Sequence, residues 1–463
     1  MGEINTIPEP DQDHFEEDYA LDVSLRDLVR DAVERGSSSD VSELLSSLHA
    51  ADIADLLEQV DSALRREILL LGSEAIDGEV LSELEEDLRE EVFEVLPDET
   101  LWDAVRELES DDVVDLIEDM DEPQQEAILE ALDSGDRVVV EKALSYPEYS
   151  AGRLMQREVV SVPEHWSVGD TIDYLRSQEE LPEQFYHVIL VDPRLHPVDY
   201  VTLGRLMSSA RDVKLSEIIE ESFRTFRVDE DEENIAYAFN QYHLISAPVV
   251  DEDGRLAGVI TIDDAMAVLD EEHEEDVLLL GGVGDESLSN STLEIVKSRF
   301  PWLGANLITA VMASLVISLF EDVLEAVVAL AVLMPIVASM GGNAGTQSMT
   351  VAVRALATRD LTGSNALRVI RRESVAGLLN GVIFAVVMGV VGLIWFGSST
   401  IGVIIAIAMV INLLVAGLSG VLVPLAFDKV GIDPALASGT FVTTVTDVVG
   451  FFAFLGLASM VLL

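Results

Sequence analysis

Asp447 offers the clearest chemistry in the chain. It is the single charge inside the apolar stretch Pro434 to Leu463. A charge at the centre of a bilayer costs about 2.5–3.5 kcal/mol on insertion scales, so it is expected to face a cavity or a partner. Gly439, Thr443, Asp447, Gly450 and Phe454 recur at steps of three or four and share one helical face. That small, polar strip suits the lining of a cation path; the plainer alternative is a protonated, hydrogen-bonded Asp. A second strip lies between Pro335 and Gln347. Pro335 removes a backbone donor, and Gly341, Gly342 and Gly345 loosen the helix. A broken span is expected there, with freed carbonyls turned toward water. Asn343 and Gln347 are four apart and share a face. A kink without further role is the alternative reading.

These residues need a membrane frame to position them. Trp302–Phe320, Ala326–Val353, Ser374–Trp395 and Ser399–Phe427 carry no charge, and Pro434–Leu463 carries one. Each is long enough to cross a hydrocarbon core of about 30 Å. Five in succession argue for five transmembrane helices. Lys297 and Arg299 precede the first span, Arg354, Arg359, Arg368, Arg371 and Arg372 fill the second loop, and Lys429 lies in the fourth. The first loop has Glu321 and Asp322, and the third has no charge. The excess of basic residues places the N-terminus and the even loops in the cytoplasm and the C-terminus outside. Gly377, Gly381, Ala385 and Gly389 recur as a close-packing seam.

Acids outnumber bases 86 to 27, for a net charge of −59. Beyond residue 300 there are eight acids and six bases, so nearly all of the excess lies in the first 299 residues. Nucleic-acid binding is excluded, because phosphate contacts need clustered Lys and Arg. The absence of Cys excludes disulfides, thiolate metal sites and cysteine catalysis. Only four Lys stand beside 23 Arg. Such a balance suits a salt-rich, halophilic cytoplasm, where the Debye length is about 3 Å at molar salt and self-repulsion is screened.

The soluble half reads as repeats. Residues 1–23 form an acidic tail expected to be disordered. Over 24–147 the period is helical, and Leu48-His-Ala-Ala-Asp-Ile-Ala-Asp-Leu-Leu57 matches Leu108-Glu-Ser-Asp-Asp-Val-Val-Asp-Leu-Ile117 at an offset of 60. A small α-helical solenoid is expected. Over 148–269 a second repeat runs at offset 59: Val191-Asp192 matches Val250-Asp251, and Val201-Thr-Leu203 matches Ile260-Thr-Ile262. β-branched runs followed by helical patterns make this an α/β unit in two copies. The pair resembles a tandem CBS domain. In such modules Thr261 and Asp264, in Gly258-Val-Ile-Thr-Ile-Asp-Asp264, stand where a nucleotide ribose is held; the first copy has Arg205 in the matching place. Over 270–299 an acidic connecting helix opens with Asp270-Glu-Glu-His-Glu-Glu-Asp276. Its like charges repel along a helix. A divalent cation bridging it to a facing acidic surface, such as Asp229 to Glu233, relieves that repulsion. Mg²⁺ takes oxygen ligands and keeps its waters, so carboxylates without His or Cys suit it.

The order is thus helical repeats, tandem CBS units, an acidic connecting helix and, over 300–463, an all-α five-helix transmembrane domain. With Gly342-Asn-Ala-Gly-Thr-Gln347 in span two and Thr444-Val-Thr-Asp-Val-Val-Gly450 in span five, the chain resembles the MgtE family of magnesium channels and transporters. The resemblance implies a multidomain, multi-pass protein of the cell membrane and not an enzyme. It implies a homodimer in the lipid bilayer with a pore made by spans two and five. Asp447 then holds hydrated Mg²⁺ in the pore, and Asp433 lies near its cytoplasmic mouth. Gly342, Asn343, Gly345, Gln347 and Thr443 line the path. Cytoplasmic Mg²⁺ binds between the N-terminal, CBS and connecting-helix surfaces and closes the gate. The matching sensor positions are Asp231, Glu233, Asp264, Glu272, Glu275 and Asp276. His243 and Ala267 depart from the family pattern, where Asp can stand. ATP at the CBS pair is a further implication, through Thr261 and Asp264. Two other readings stay open: the same architecture carrying Mn²⁺ or Co²⁺, and a membrane-anchored divalent or nucleotide sensor that conducts nothing.

Overall fold

A computed structural model describes residues 23–462 apart from 119, 121, 179–180, 183–184, 221–222 and 285–291. All but the last residue of the acidic tail, and part of the connecting segment, lie outside the described residues. The chain divides into two units, Met1–Asp270 and Glu271–Leu463.

The first unit opens with ten helices among the described residues. They are α1 (Val23–Glu34), α2 (Ser38–Leu45), α3 (Ala50–Gln59), α4 (Ser62–Leu71), α5 (Gly78–Ser82), α6 (Glu86–Val95), α7 (Asp98–Glu107), α8 (Ser110–Glu118), α9 (Glu122–Ala131) and α10 (Ser134–Ala143). The repeat at offset 60 returns as α3–α4 and α8–α9. Capping residues cut the chain into these lengths: Asp61 accepts the N–H groups of Ala63 and Leu64 at 3.1 Å, and Ser37 caps α2. Helices of ten residues are marginal alone, so their stability comes from packing one apolar stripe. Leu45, Leu56, Leu57, Ile68, Leu69 and Ile117 are wholly buried in one core. Two buried arginines tie neighbouring helices. Arg65 donates to the Leu57 carbonyl at 3.0 Å and pairs with Glu91. Arg89 donates to the Leu84 and Asp115 carbonyls at 2.9 Å and to the Asp115 carboxylate at 2.7 Å.

The α/β part then follows. Its first copy holds α11 (Ala151–Leu154), β1 (Ser161–Pro163), α12 (Val168–Ser177), β2 (His187–Val191), β3 (Pro197–Thr202) and α13 (Leu203–Ser208). Its second holds β4 (Phe226–Arg227), α14 (Glu232–Tyr242), β5 (Ser246–Val250), β6 (Leu256–Thr261) and the start of α15 (Ile262–Gly281). Both sheets have three strands with the same pattern: the first two parallel, the second and third antiparallel. The register repeats too. His187 faces Thr202 and Ser246 faces Thr261, and each sheet slips at the end of its middle strand, at Leu190/Val191 and Val249/Val250. The equivalent residues His187 and Ser246 meet, Nδ1 to Oγ, at 2.5 Å. Equivalent positions of the two copies, 59 residues apart, thus meet each other.

The second unit is built on α16 (Thr292–Ser318), the short α17 (Glu321–Ala326), α18 (Ala329–Ala357), α19 (Ala366–Phe396), α20 (Ser399–Val430) and α21 (Pro434–Leu462). All but α17 contain a segment long and apolar enough to cross a membrane. Gly397 and Gly431, at φ +65° and +75°, close α19 and α20 in the left-handed region. One expectation is corrected: span two is not broken. α18 runs unbroken through Pro335 and the glycines. Pro335 lies in the second turn, where it deletes a single ladder bond. The glycine gaps are filled from outside: Asn412 packs on Gly341, and Val442 on Gly345.

The small-residue seam of α19 meets α20, whose backbone lies against it. A Cβ placed on Gly381 would fall 3.0 Å from Val410 Cα, and one on Gly392 3.0 Å from Gly402 Cα. Without a hydrophobic drive between helices in lipid, this backbone proximity is what binds them. Gly381→Leu is therefore expected to part α19 from α20, costing about 1–3 kcal/mol. A lower melting temperature in detergent, with Leu379→Ala on the exposed side of α19 unchanged, checks it.

Candidate functional site

Two groups of residues carry candidate chemistry, one in each unit. In the membrane unit, α18 and α21 pack against each other on their small faces. Gly342 lies opposite Thr443, with an added Cβ 3.6 Å from its methyl, and Gly345 meets Val442 and Thr446. Helices approach this closely only because four of the facing positions are glycine or threonine. Thr443 spends its hydroxyl on its own helix, donating to the Gly439 and Thr440 carbonyls at 3.0 Å. Asn343 donates to the Ser339 carbonyl at 2.8 Å, which leaves its Oδ1 free to accept. Gln347 is exposed one turn on. Asp447 is half-buried, one turn beyond Thr443, and pairs with no described residue. The arrangement is a carboxylate and amide oxygens on facing helices, with no cationic side chain among the described residues paired to the carboxylate. Asp433 is placed apart from this group. It is exposed and accepts the Ala435 N–H at 2.7 Å, so it caps α21.

In the soluble unit, a seam forms where α8 meets the α/β part. Ser110 donates to Glu158 at 2.8 Å and accepts the Arg157 N–H at 2.9 Å; Gln156 bonds Glu109. Arg153 pairs with Glu118 at 2.7 Å. These contacts bring Glu109, Asp111 and Asp112 up to Asp264 at the start of α15. Asp264 accepts the Thr261 hydroxyl at 2.5 Å and its N–H at 3.2 Å. Burial pushes the Asp111 carboxyl well above the carboxylate range, and the Asp264 charge adds to it. Burial and then Asp264 push Asp112 up to about 7. Glu109 is pushed up to about 7 by burial and by Glu158. Asp264 is raised to about 6 by burial, against the downward pull of its Thr261 bond. The α8 N-terminus favours some negative charge there, but only by fractions of a kcal/mol to about 1 kcal/mol. Like charges desolvated together either bind protons or attract a cation. Among the described residues no three carboxylates close into a ligand cage.

Sequence reasoning found Asp264 but missed Glu109, Asp111, Asp112 and Asp115. A signal was present. The second helical repeat carries Glu109 and Asp111 where the first has His49 and Ala51, so acids appear on the copy that meets the α/β part. The other expected sensor residues divide between the units. Asp231 and Glu233 belong to the first, where Asp231 caps α14 and accepts from Asn234. Glu272, Glu275 and Asp276 lie on α15 in the second. His243 takes the left-handed position that ends α14, at φ +53°.

Comparison with known proteins follows the same division. A family model for divalent cation transporters, MgtE, matches residues 334–457, one for the MgtE intracellular N domain matches 48–149, and one for CBS domains matches 215–271. The class is a transporter rather than an enzyme. A magnesium transporter MgtE of Enterococcus faecalis is 34% identical over 321 residues, 69% of this chain and 71% of that one. The Thermus thermophilus magnesium transporter MgtE is 34% identical over 330 residues, 70% and 73% of the two chains. The chain belongs to the MgtE family. A solved cytosolic domain of the Mg²⁺ channel MgtE, in complex with ATP, aligns at TM-score 0.48 and 28% identity, over 52% of this chain and 99% of that one.

The raised carboxyls make stability depend on pH. A carboxyl with a higher pKa folded than unfolded holds more protons when folded, so stability is lost as pH rises. The window runs from the unfolded value near 4 to about 7 for Glu109 and Asp112. Without divalent cations, the melting temperature of the detergent-solubilised chain is expected to fall steadily from pH 5 to pH 8. Asp112→Asn is expected to flatten that slope.

Proposed function

We propose that the chain is a Mg²⁺ channel of the cell membrane, passing the ion downhill into the cytoplasm and closed by cytoplasmic Mg²⁺. The soluble domains and N-terminus face the cytoplasm, the C-terminus lies outside, and two copies assemble about the pore. The observation that carries the reading is Asp447: a half-buried carboxylate inside an apolar helix, paired with no described residue, one turn from the contact of α21 with the glycines of α18. A carboxylate in lipid is expensive unless an ion or water meets it. Membership of a family whose curated relatives are magnesium transporters supports the choice of ion.

In this mechanism Asp447, with Asn343 and Gln347, accepts hydrogen bonds from the waters of hydrated Mg²⁺. The ion is attracted without being stripped, which it resists. Weak outer-sphere binding lets it leave again, as conduction requires. Asp433, at the N-terminus of α21, adds negative charge toward the cytoplasmic end. The gate follows from the seam. Asp111, Asp112, Glu109 and Asp264 repel one another until a cation enters, so Mg²⁺ favours the arrangement that holds them together. The acids of α14 and α15 (Asp231, Glu233, Glu272, Glu275 and Asp276) supply further charge of the same kind. Differential affinity for that closed arrangement shifts the population. A nucleotide ribose at Thr261 and Asp264 belongs to the same proposal. Asp264 then serves both ligands, so ATP and Mg²⁺ binding are coupled.

The test is Mg²⁺ flux into proteoliposomes at high KCl, with Mg²⁺ varied on the cytoplasmic face. Wild type is expected to conduct at low cytoplasmic Mg²⁺ and to fall silent as it rises. Asp447→Ala is expected to lose flux. Asp111→Asn with Asp264→Asn is expected to conduct, with about tenfold more Mg²⁺ needed to close, the equivalent of about 1.4 kcal/mol. Wild type silent at every Mg²⁺ concentration would leave a sensor without a pore. Equal competition by Mn²⁺ or Co²⁺ would reassign the ion.

A further inference from the structure

α20 is the most apolar of the five spans, at mean hydropathy 2.8, yet it carries an amide at its centre. Asn412 is wholly buried. Its Nδ2 donates to the Val337 carbonyl of α18 at 2.8 Å. Its Oδ1 has no hydrogen-bond partner among the described residues. A buried acceptor left unmet costs about 1–3 kcal/mol, and more with no water near. An apolar residue of the same size avoids that cost, so stability does not explain the amide.

The neighbours of Asn412 do. The amide touches two glycines on two different helices. A Cβ on Gly341 of α18 would come within 2.9 Å of both Cγ and Oδ1. A Cβ on Gly450 of α21 would come within 2.9 Å of Nδ2. One side chain therefore occupies the gaps of both helices that carry the proposed ion site. Gly341 lies two residues before Asn343, and Gly450 one turn after Asp447. The helices run antiparallel here, with Gly341 level with Gly450 and Gly345 level with Val442 and Thr446. Asp447 lies between these two levels. The Val337 bond also fixes the amide's orientation, because turning it over would bring Oδ1 against a carbonyl oxygen.

We propose that Asn412 is a positioning residue for permeation. It locks the axial register of α18 against α21 and so sets the spacing of Asn343 and Asp447. The inference rests on the Mg²⁺-pore reading. It adds a third helix that never meets the ion but determines how well the other two hold it. Sliding α18 by a fraction of a turn changes the separation between the amide of Asn343 and the carboxylate of Asp447, and with it the fit to a hydrated ion of fixed size.

The experiment compares flux against external Mg²⁺ for wild type, Asn412→Val, Gly450→Ala and Asp447→Ala, with melting temperatures for each. Asn412→Val removes the amide and its unmet acceptor. Gly450→Ala keeps the amide but pushes it from its place, and it reads the same property if the first variant does not fold. The expected result is a half-saturating Mg²⁺ concentration raised about tenfold, as for the loss of one well-placed polar contact. The melting temperature of Asn412→Val should hold or rise. An unchanged half-saturation in the folded variants, with Asp447→Ala silent, overturns this inference and leaves the pore reading standing. A fall in melting temperature and maximal flux at unchanged half-saturation makes Asn412 a packing residue only. Undiminished flux in Asp447→Ala overturns the pore reading and this inference with it.

Discussion

The soluble half depends on one interaction: repulsion between carboxylates that folding has taken out of water together. Asp111, Asp112, Glu109 and Asp264 are brought close by neighbouring bonds, Ser110 to Glu158 and Arg153 to Glu118, together with the bond from Gln156 to the Glu109 carboxylate. The helical core and the two small sheets are well buried. Separating the acids requires these bonds to break. The strain is therefore local and is relieved by protons or by a cation. A group of surface acids would simply turn to solvent. What makes these four responsive is the frame behind them.

The membrane half meets the opposite constraint. It has almost no charge, and its packing rests on backbone approach. α19 and α20 meet glycine to backbone, and α18 and α21 meet through Gly342, Gly345 and Thr443. Such seams tolerate little displacement, since one methyl brings atoms to 3.0 Å or less at several points. Polar groups appear where the seams converge. Asn412 lies at the junction of three helices, and Asp447 one turn away. Tight apolar packing thus fixes the position of the few oxygens that the proposed pore depends on.

Much of this was legible in the residues. The two internal offsets became paired helices and paired sheets, down to the shared irregularity at Leu190/Val191 and Val249/Val250. Repeats are easy to read because each copy tests the other. Spans were legible because length and apolarity suffice. Span two was misjudged for a reason that sequence hides. Pro335 and the glycines weaken a helix alone, but neighbours from α20 and α21 fill the gaps. The seam acids were missed for a related reason. Asp111 and Asp264 are 153 positions apart, and neither repeat predicts which of its faces meets the other. In a chain with 86 acids, type carries little information. Location decides, and location is tertiary.

The same abundance bears on how a sensor can work in concentrated salt. At molar ionic strength the Debye length is about 3 Å, so repulsion among exposed carboxylates is largely removed. Most of the acidic surface then has little influence on shape. Screening by mobile ions does not reach a buried group equally, because the ions must be desolvated to follow it in. Asp111 is buried and Asp264 half-buried, next to Asp112 and Glu109. Their mutual repulsion survives where that of the outer acids is lost. A monovalent ion that enters offsets one charge for the desolvation it suffers. A divalent ion offsets two and can remain partly hydrated. In the proposed gate, burial thereby favours a divalent ion over the background salt. A surface crowded with acids can hold a few that respond to one ion, provided that folding, rather than charge, selects which few.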